Sequence, residues 1–195
     1  MKKILLLSLL LLFVENAASA NSPKNPITPE RVFVTKVADE VLAAIKKGGD
    51  EKDITSSLRG VFNNYVDLPW VSNFVLGRHA RSATQVQKQR FVASYKEFMT
   101  KSYASRLKNY SGETYQITSQ RNLGDSKAEL RMSVNRKEGA PILIDYKIHK
   151  VGKDFKIYDM AVEGISLITT QRSEFGTIIE RKGLDALIMA LENAK

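Results

Sequence analysis

The stretch from Lys127 to Val162, KAELRMSVNRKEGAPILIDYKIHKVGKDFKIYDMAV, decides the fold. Ala128, Leu130, Met132 and Val134 alternate with Lys127, Glu129, Arg131 and Ser133. After Glu138-Gly139, Ile142, Ile144, Tyr146 and Ile148 alternate with Leu143, Asp145, Lys147 and His149. Successive side chains of a strand point to opposite faces, so a period of two marks strands with one apolar face. Leu123-Gly124-Asp125, Glu138-Gly139 and Gly152-Lys153-Asp154 supply turns between them. With Tyr115–Thr118 before and Phe155–Val162 after, the region about 113–162 reads as an antiparallel meander of four strands or more. Its other face, largely charged, is expected to be solvated.

Upstream the period is that of helices. Thr28-Pro29-Glu30 combines an N-cap, a proline at N1 and an acid in the first turn. Phe33, Val37, Val41, Ala44 and Ile45 follow at helical spacing up to Gly48-Gly49. Asp50 is placed to cap a second helix carrying Ile54, Leu58, Val61, Phe62 and Tyr65. Asp67-Leu68-Pro69 starts a short third one, which Gly77 ends. Thr84-Gln85-Val86-Gln87 has capping-box form and opens a long fourth helix to about Asn109. Beyond the strands, Ile165, Ile168, Arg172, Phe175, Ile178 and Ile179 lie on a fifth helix, and Leu184 to Leu191 on a sixth. The helical part covers about 28–109 and the C-terminal helices about 165–193. Segregated runs of helices and strands mark an α+β domain with helices packed on one face of the sheet.

The first twenty residues read as an address. A basic start, Lys2-Lys3, precedes an apolar run from Ile4 to Val14, and Ala18-Ser19-Ala20 offers small residues before a cut at Asn21. These eleven residues, all apolar but Ser8, rise only about 16 Å as a helix, too short to span a bilayer. The expectation is a cleaved signal peptide over 1–20, a single domain over 21–195, and export to the periplasm. Without Lys2, Lys3 and Glu15 the 30 basic and 21 acidic residues become 28 and 20, so the charge stays strongly positive. Export makes nucleic acid an unsuitable partner, and a membrane surface or an acidic protein patch suits the charge better.

The sequence lacks the residues of most catalytic sites. There is no cysteine, which excludes disulfides, thiolate catalysis and Cys-ligated metals. GxSxG, HExxH, P-loop and GxGxxG patterns are absent. His79 lies among Arg78 and Arg81, whose charges disfavour metal binding. His149 sits on the outward face of a strand and reads as a surface histidine. Ser166 reads as a helix-start serine. No metal and no cofactor are expected. Apolar bulk stands out instead, on several elements at once. It is consistent with an ordinary core or with a cavity held open between helices and sheet, since the two share one periodicity. Two other readings stay open: an enzyme using a buried carboxylate, for which Asp159 is the best candidate, and an adaptor with a filled core.

Three segments carry a resemblance: Val66-Asp67-Leu68-Pro69-Trp70 with Phe74-Val75-Leu76-Gly77-Arg78; Tyr110-Ser111-Gly112-Glu113-Thr114-Tyr115; and Tyr158 to Thr170, followed by Phe175, Ile178-Ile179 and Lys182 to Leu187. Together they closely resemble the MlaC family of phospholipid carriers, from the maintenance-of-lipid-asymmetry system and also classed as toluene-tolerance auxiliary proteins. The resemblance covers nearly all of the chain after residue 20. It implies an NTF2-like sheet-and-helix body, without catalytic residues, holding the acyl chains of a phospholipid. It also implies a monomer that docks to an MCE-domain subunit of an inner-membrane ABC transporter and to an outer-membrane lipoprotein–porin complex. The tails are expected between two surfaces. The helical one carries Trp70, Phe74, Phe91, Tyr95, Phe98, Met99 and Tyr103. The other, from the sheet and following helix, carries Ile144, Tyr146, Ile148, Tyr158, Met160, Val162, Ile168, Phe175 and Ile179.

Overall fold

The computed structural model describes residues 26–46, 51–107, 114–136 and 138–194. The expected signal peptide and its cut, the Gly48-Gly49 stop, the Asp50 cap, Asn109 and the segment 110–113 lie outside the described residues.

Four helices come first: α1 (Pro29–Lys46), α2 (Glu51–Tyr65), α3 (Leu68–Leu76) and α4 (Gln85–Leu107). The caps read from the sequence form. Thr28 Oγ1 accepts from Arg31 N at 3.2 Å. Asp67 Oδ1 accepts from Trp70 N at 3.1 Å. Thr84 and Gln87 bond reciprocally, Thr84 N to Gln87 Oε1 at 3.0 Å and Gln87 N to Thr84 Oγ1 at 3.2 Å. Gly77 ends α3 with φ +56, and a 3₁₀ turn over Gly77–Arg81 leads on to α4. A side chain at Gly77 would be strained by that φ and would meet the Arg172 guanidinium at 3.2 Å.

The strands are β1 (Thr114–Gly124), β2 (Lys127–Asn135), β3 (Ile142–Val151), β4 (Asp154–Val162) and β5 (Ile165–Ser166), hydrogen-bonded in that order, each antiparallel to the next. β1 is far longer than the four residues read from the sequence. Only Tyr115 and Ile117 alternate clearly inward there, because β1 is an edge with most of its side chains in water. Asp125 and Ser126, both at positive φ, make the tight β1–β2 turn.

Ile165 corrects the expected fifth helix. Glu163 and Gly164, at φ 51 and 79, turn the chain back so that Ile165 pairs with Val162 in β5. Ile165 is exposed, and α5 (Leu167–Lys182) starts two residues later, capped by Ser166 Oγ on Thr169 N. α6 (Leu184–Glu192) follows Gly183.

The register defines rows across the inner face: Tyr115–Val134–Ile142, then Ile117–Met132–Ile144–Val162, then Leu130–Tyr146–Met160, then Ala128–Ile148–Ile157. One irregularity shapes the site. Lys147 pairs with Asp159 but Ile148 with Ile157, so Tyr158 is an extra residue in β4. This bulge shifts the phase of the strand, so that Met160 falls in the inner row opposite Tyr146 and Asp159 stands opposite Lys147.

α1 and α2 cover the inner face, and Arg31 Nη2 fastens α1 to the Ile117 carbonyl at 2.8 Å. α3, α4, α5 and α6 form a second apolar cluster beyond the β4 edge. Val66 bridges to Ile157 on that edge, so the α2–α3 junction continues the sheet by one residue.

The charged face is less open than expected. Asp145 is buried under a two-pronged Arg131 contact at 2.7 and 2.9 Å. His149 is no free surface histidine. Its Nε2 lies 2.9 Å from Asp67 Oδ2, its side chain is 12% exposed, and the Trp70 and Tyr158 rings pack on it. The start of α3 wraps round the β4 edge and covers it.

Candidate binding cavity

A cavity of about 410 Å³ separates the sheet from the helices. Its floor is the first three rows of the inner face, with Val134, Ile142, Met132, Ile144, Val162, Tyr146 and Met160. Its roof is the C-terminal half of α1, with Val41, Leu42 and Ile45, and α2, with Leu58, Val61 and Phe62. Tyr95, Met99, Tyr103 and Leu107 of α4 form one wall, and Leu68, Val71, Leu167 and Ile168 another. These roof side chains are mostly branched aliphatics that do not reach across to the floor. The space they leave lies within the usual range for ligand pockets, roughly 300–1,000 Å³.

The few polar groups of the wall are engaged. The Tyr95 hydroxyl donates to Gln171 Oε1, whose Nε2 donates to Met99 Sδ at 2.8 Å. Burial pushes the Tyr95 phenol well above its usual range. The Tyr115 hydroxyl donates to Asp39 Oδ1 at 2.7 Å; burial first, then that carboxylate, raise its pKa. Asp159 is 4% exposed and accepts from Lys147 Nζ and Ser166 Oγ, both at 2.9 Å. Burial tends to lower the Lys147 ammonium, but the hydrogen bond and charge of Asp159 outweigh it and the pKa is raised. A carboxylate so engaged acts as a structural anchor for the bulge. Among the described residues no group of three or more His, Asp or Glu could hold a metal. The arrangement can enclose an elongated apolar molecule and provides little to react with it.

Nine of the sixteen expected residues line this cavity: Tyr95, Met99, Tyr103, Ile144, Tyr146, Tyr158, Met160, Val162 and Ile168. Seven lie elsewhere. Phe91, Phe98, Phe175 and Ile179 belong to the helical cluster, where Phe91 and Phe175 meet edge to face at 6.3 Å and Phe98 and Phe175 at 6.5 Å. Ile148 is fully buried among Phe33, Tyr65 and Phe155 at the solid end of the sheet. Trp70 and Phe74 stack on each other at 5.4 Å on the outer side of α3, and Trp70 is 37% exposed. Helical spacing puts a residue on an apolar stripe without saying which neighbour the stripe meets. The α1 and α2 roof was missing from the expected lining, although its stripe is plain in the sequence.

The fold and this cavity define a protein built round an enclosed apolar pocket on a sheet-and-helix frame. The chain belongs to the MlaC protein family, whose model matches residues 35–193. It is 29% identical over 176 residues to the intermembrane phospholipid transport system binding protein MlaC of Haemophilus influenzae, covering 86% of this chain and 82% of that one. It is 24% identical over 130 residues to the toluene tolerance protein ttg2D of Pseudomonas putida, covering 66% of this chain and 60% of that one. Among solved structures it is similar to the phospholipid-binding protein of Ralstonia solanacearum, determined in complex with a phospholipid. That match has a TM-score of 0.76 and 26% identity, covering 84% of this chain and 94% of the other.

Proposed function

We propose that this chain is a periplasmic phospholipid carrier. It takes acyl chains into the cavity, keeps the head group in water and moves the lipid between an MCE-domain ABC transporter of the inner membrane and a lipoprotein–porin complex of the outer membrane. In this reading it maintains outer-membrane lipid asymmetry, works as a monomer and uses no cofactor. The observation that carries the reading is the apolar enclosure of about 410 Å³ on half of the sheet. The phospholipid complex of the Ralstonia relative supports it. The physical task fits the site. Exposing lipid tails to water costs about 0.8 kcal/mol per methylene, so about thirty methylenes cost of order 20 kcal/mol. A carrier removes that barrier by burial alone, with no acid, base or metal.

Chloroform–methanol extraction of the purified mature protein, followed by mass spectrometry, tests the reading. About one phospholipid per chain is expected, as for a single pocket of ordinary size. Folded protein that is lipid-free, and takes up none from vesicles, overturns it. Intact mass of the exported protein should correspond to a start at Asn21.

A further inference from the structure

The outer side of α3 carries a row that the cavity does not use. Trp70, Phe74 and Arg78 recur at i, i+4 and i+8, which places them on one helix face and into the following turn. Trp70 stacks on Phe74, and the Arg172 guanidinium lies over Phe74 at 4.9 Å while Nη1 bonds the Phe74 carbonyl at 3.1 Å. On its other side Trp70 meets Tyr158 edge to face at 5.0 Å, and Tyr158 also lines the cavity. One ring therefore separates the exposed tryptophan from the pocket.

Asp67, the carboxylate beside this row, is engaged by Trp70 N and His149 Nε2. Residues 68–84 contain Arg78 and Arg81 and no acid. Arg78 is paired with Glu180. Arg172 and Lys156 are held by backbone carbonyls, of Phe74 and Asn64. Among the described residues neither forms an ion pair. A half-exposed tryptophan with an amphipathic ring, flanked by cations not neutralised by carboxylates, has the chemistry that settles at the head-group level of an anionic bilayer.

We infer that the α3 face, with Trp70 at its centre and Arg172 and Lys156 beside it, rests on an anionic phospholipid surface. The inference rests on the carrier reading and goes beyond it, since it gives the molecule a direct contact with a bilayer beside its pocket wall. Contact is electrostatic first and therefore weakened by salt, with Trp70 as the apolar anchor.

Trp70 is the single tryptophan of the chain, so its emission reports this face alone. The mature protein is mixed with vesicles of phosphatidylethanolamine and phosphatidylglycerol, and separately with phosphatidylcholine. The expected result is sedimentation with the anionic vesicles, a blue shift of Trp70 emission, and loss of both at raised salt. Arg172→Glu and Lys156→Glu should each weaken partitioning about thirtyfold, since reversing one charge removes an attraction and adds a comparable repulsion. Lys101→Glu, on α4, should not. Lipid content by extraction and thermal unfolding are measured on the same samples. Arg172→Glu and Lys156→Glu should keep their lipid, and Lys156→Glu serves alone if loss of the Arg172 contact unfolds α3. Protein that carries phospholipid yet ignores anionic vesicles overturns this inference and leaves the carrier reading standing. So does vesicle binding that persists in Trp70→Ala and both charge reversals, or a face that responds only to an acidic protein. Protein that carries no lipid defeats the carrier reading, whatever the vesicles show.

Discussion

The inner face of the sheet has a solid end and a hollow end, both roofed by the same helix. At the solid end Ala128, Leu130 and Ile148 lie beneath Phe33 and Val34 of α1, with Phe33 5.8 Å from both Tyr65 and Phe155. At the hollow end Val134, Ile142 and Ile144 lie beneath Val41, Leu42 and Ile45 of the same α1, and the space between is open. Rings span the gap between layers where the core is complete, and branched aliphatics leave it unfilled. The solid end anchors the layers at their native separation, and that separation keeps the other end from collapsing. Close packing is the rule in protein interiors, so a void lined by well-ordered elements needs such a spacer.

The largest expected contrast comes from placing one charge at each end. Ile148 is fully buried, and an unpaired carboxylate there costs several kcal/mol against a total stability of about 5–15 kcal/mol. Ile148→Asp should therefore fail to fold. Ile144 lies two rows from Ile148 on the same strand and faces the cavity, where water can enter in place of lipid. Ile144→Asp should fold and lose most of its phospholipid. Thermal unfolding and extracted lipid on the same preparations check both. If both unfold alike, the two ends are one core and the comparison is wrong.

Truncation should show a smaller version of the same difference. Phe91 is fully buried and stacked on Tyr95 at 5.4 Å in the helical cluster. Phe91→Ala should cost about 3–5 kcal/mol in denaturant unfolding. Met160 has empty space on one side and loses fewer contacts, so Met160→Ala should cost about 1 kcal/mol. A third contrast runs the other way. Ala128→Phe overpacks the solid end at about 1–3 kcal/mol, whereas Val134→Phe fills part of the void. The second variant should unfold no more easily than the wild type and should bind less lipid in an uptake titration from vesicles.

These contrasts mark the limit of what the sequence could disclose. β2, β3 and β4, the caps at Thr28, Asp67 and Thr84, and the run of helices before the sheet were legible, because each is written in neighbours a few residues apart; β5 and most of β1 were not. The division between solid and hollow was not. Phe98 and Tyr95 lie on one stripe of α4 and both meet Phe175, at 6.5 and 5.9 Å, yet only Tyr95 also reaches the cavity. The Tyr158 bulge was also hidden: it is a phase shift of the strand that only the register with β3 reveals. His149 read as solvated because its cover, Asp67 and Trp70, comes from a helix more than seventy residues earlier in the chain.

The smallest expected effect concerns the tie behind that bulge. Lys147 bonds Asp159 at 2.9 Å, with side chains 28% and 3% exposed. Burial alone would lower the lysine, and the pairing with Asp159 outweighs it, so its pKa in the folded protein lies above the ordinary value. Unfolded lysine titrates near 10.4. A group whose folded pKa is raised contributes its full stabilisation below the unfolded value and loses it as pH rises through the folded one. Melting curves taken from neutral pH upward should therefore show an alkaline loss of stability in the wild type as Lys147 deprotonates. The double variant Lys147→Met with Asp159→Asn should lack that component, which separates it from the titration of other lysines and tyrosines. Bound lipid should stay through the same range, because the solid end still holds the layers apart. If lipid leaves in step with the Lys147 titration, the spacing of the hollow end depends on the bulge tie and not on the Phe33–Tyr65–Phe155 cluster.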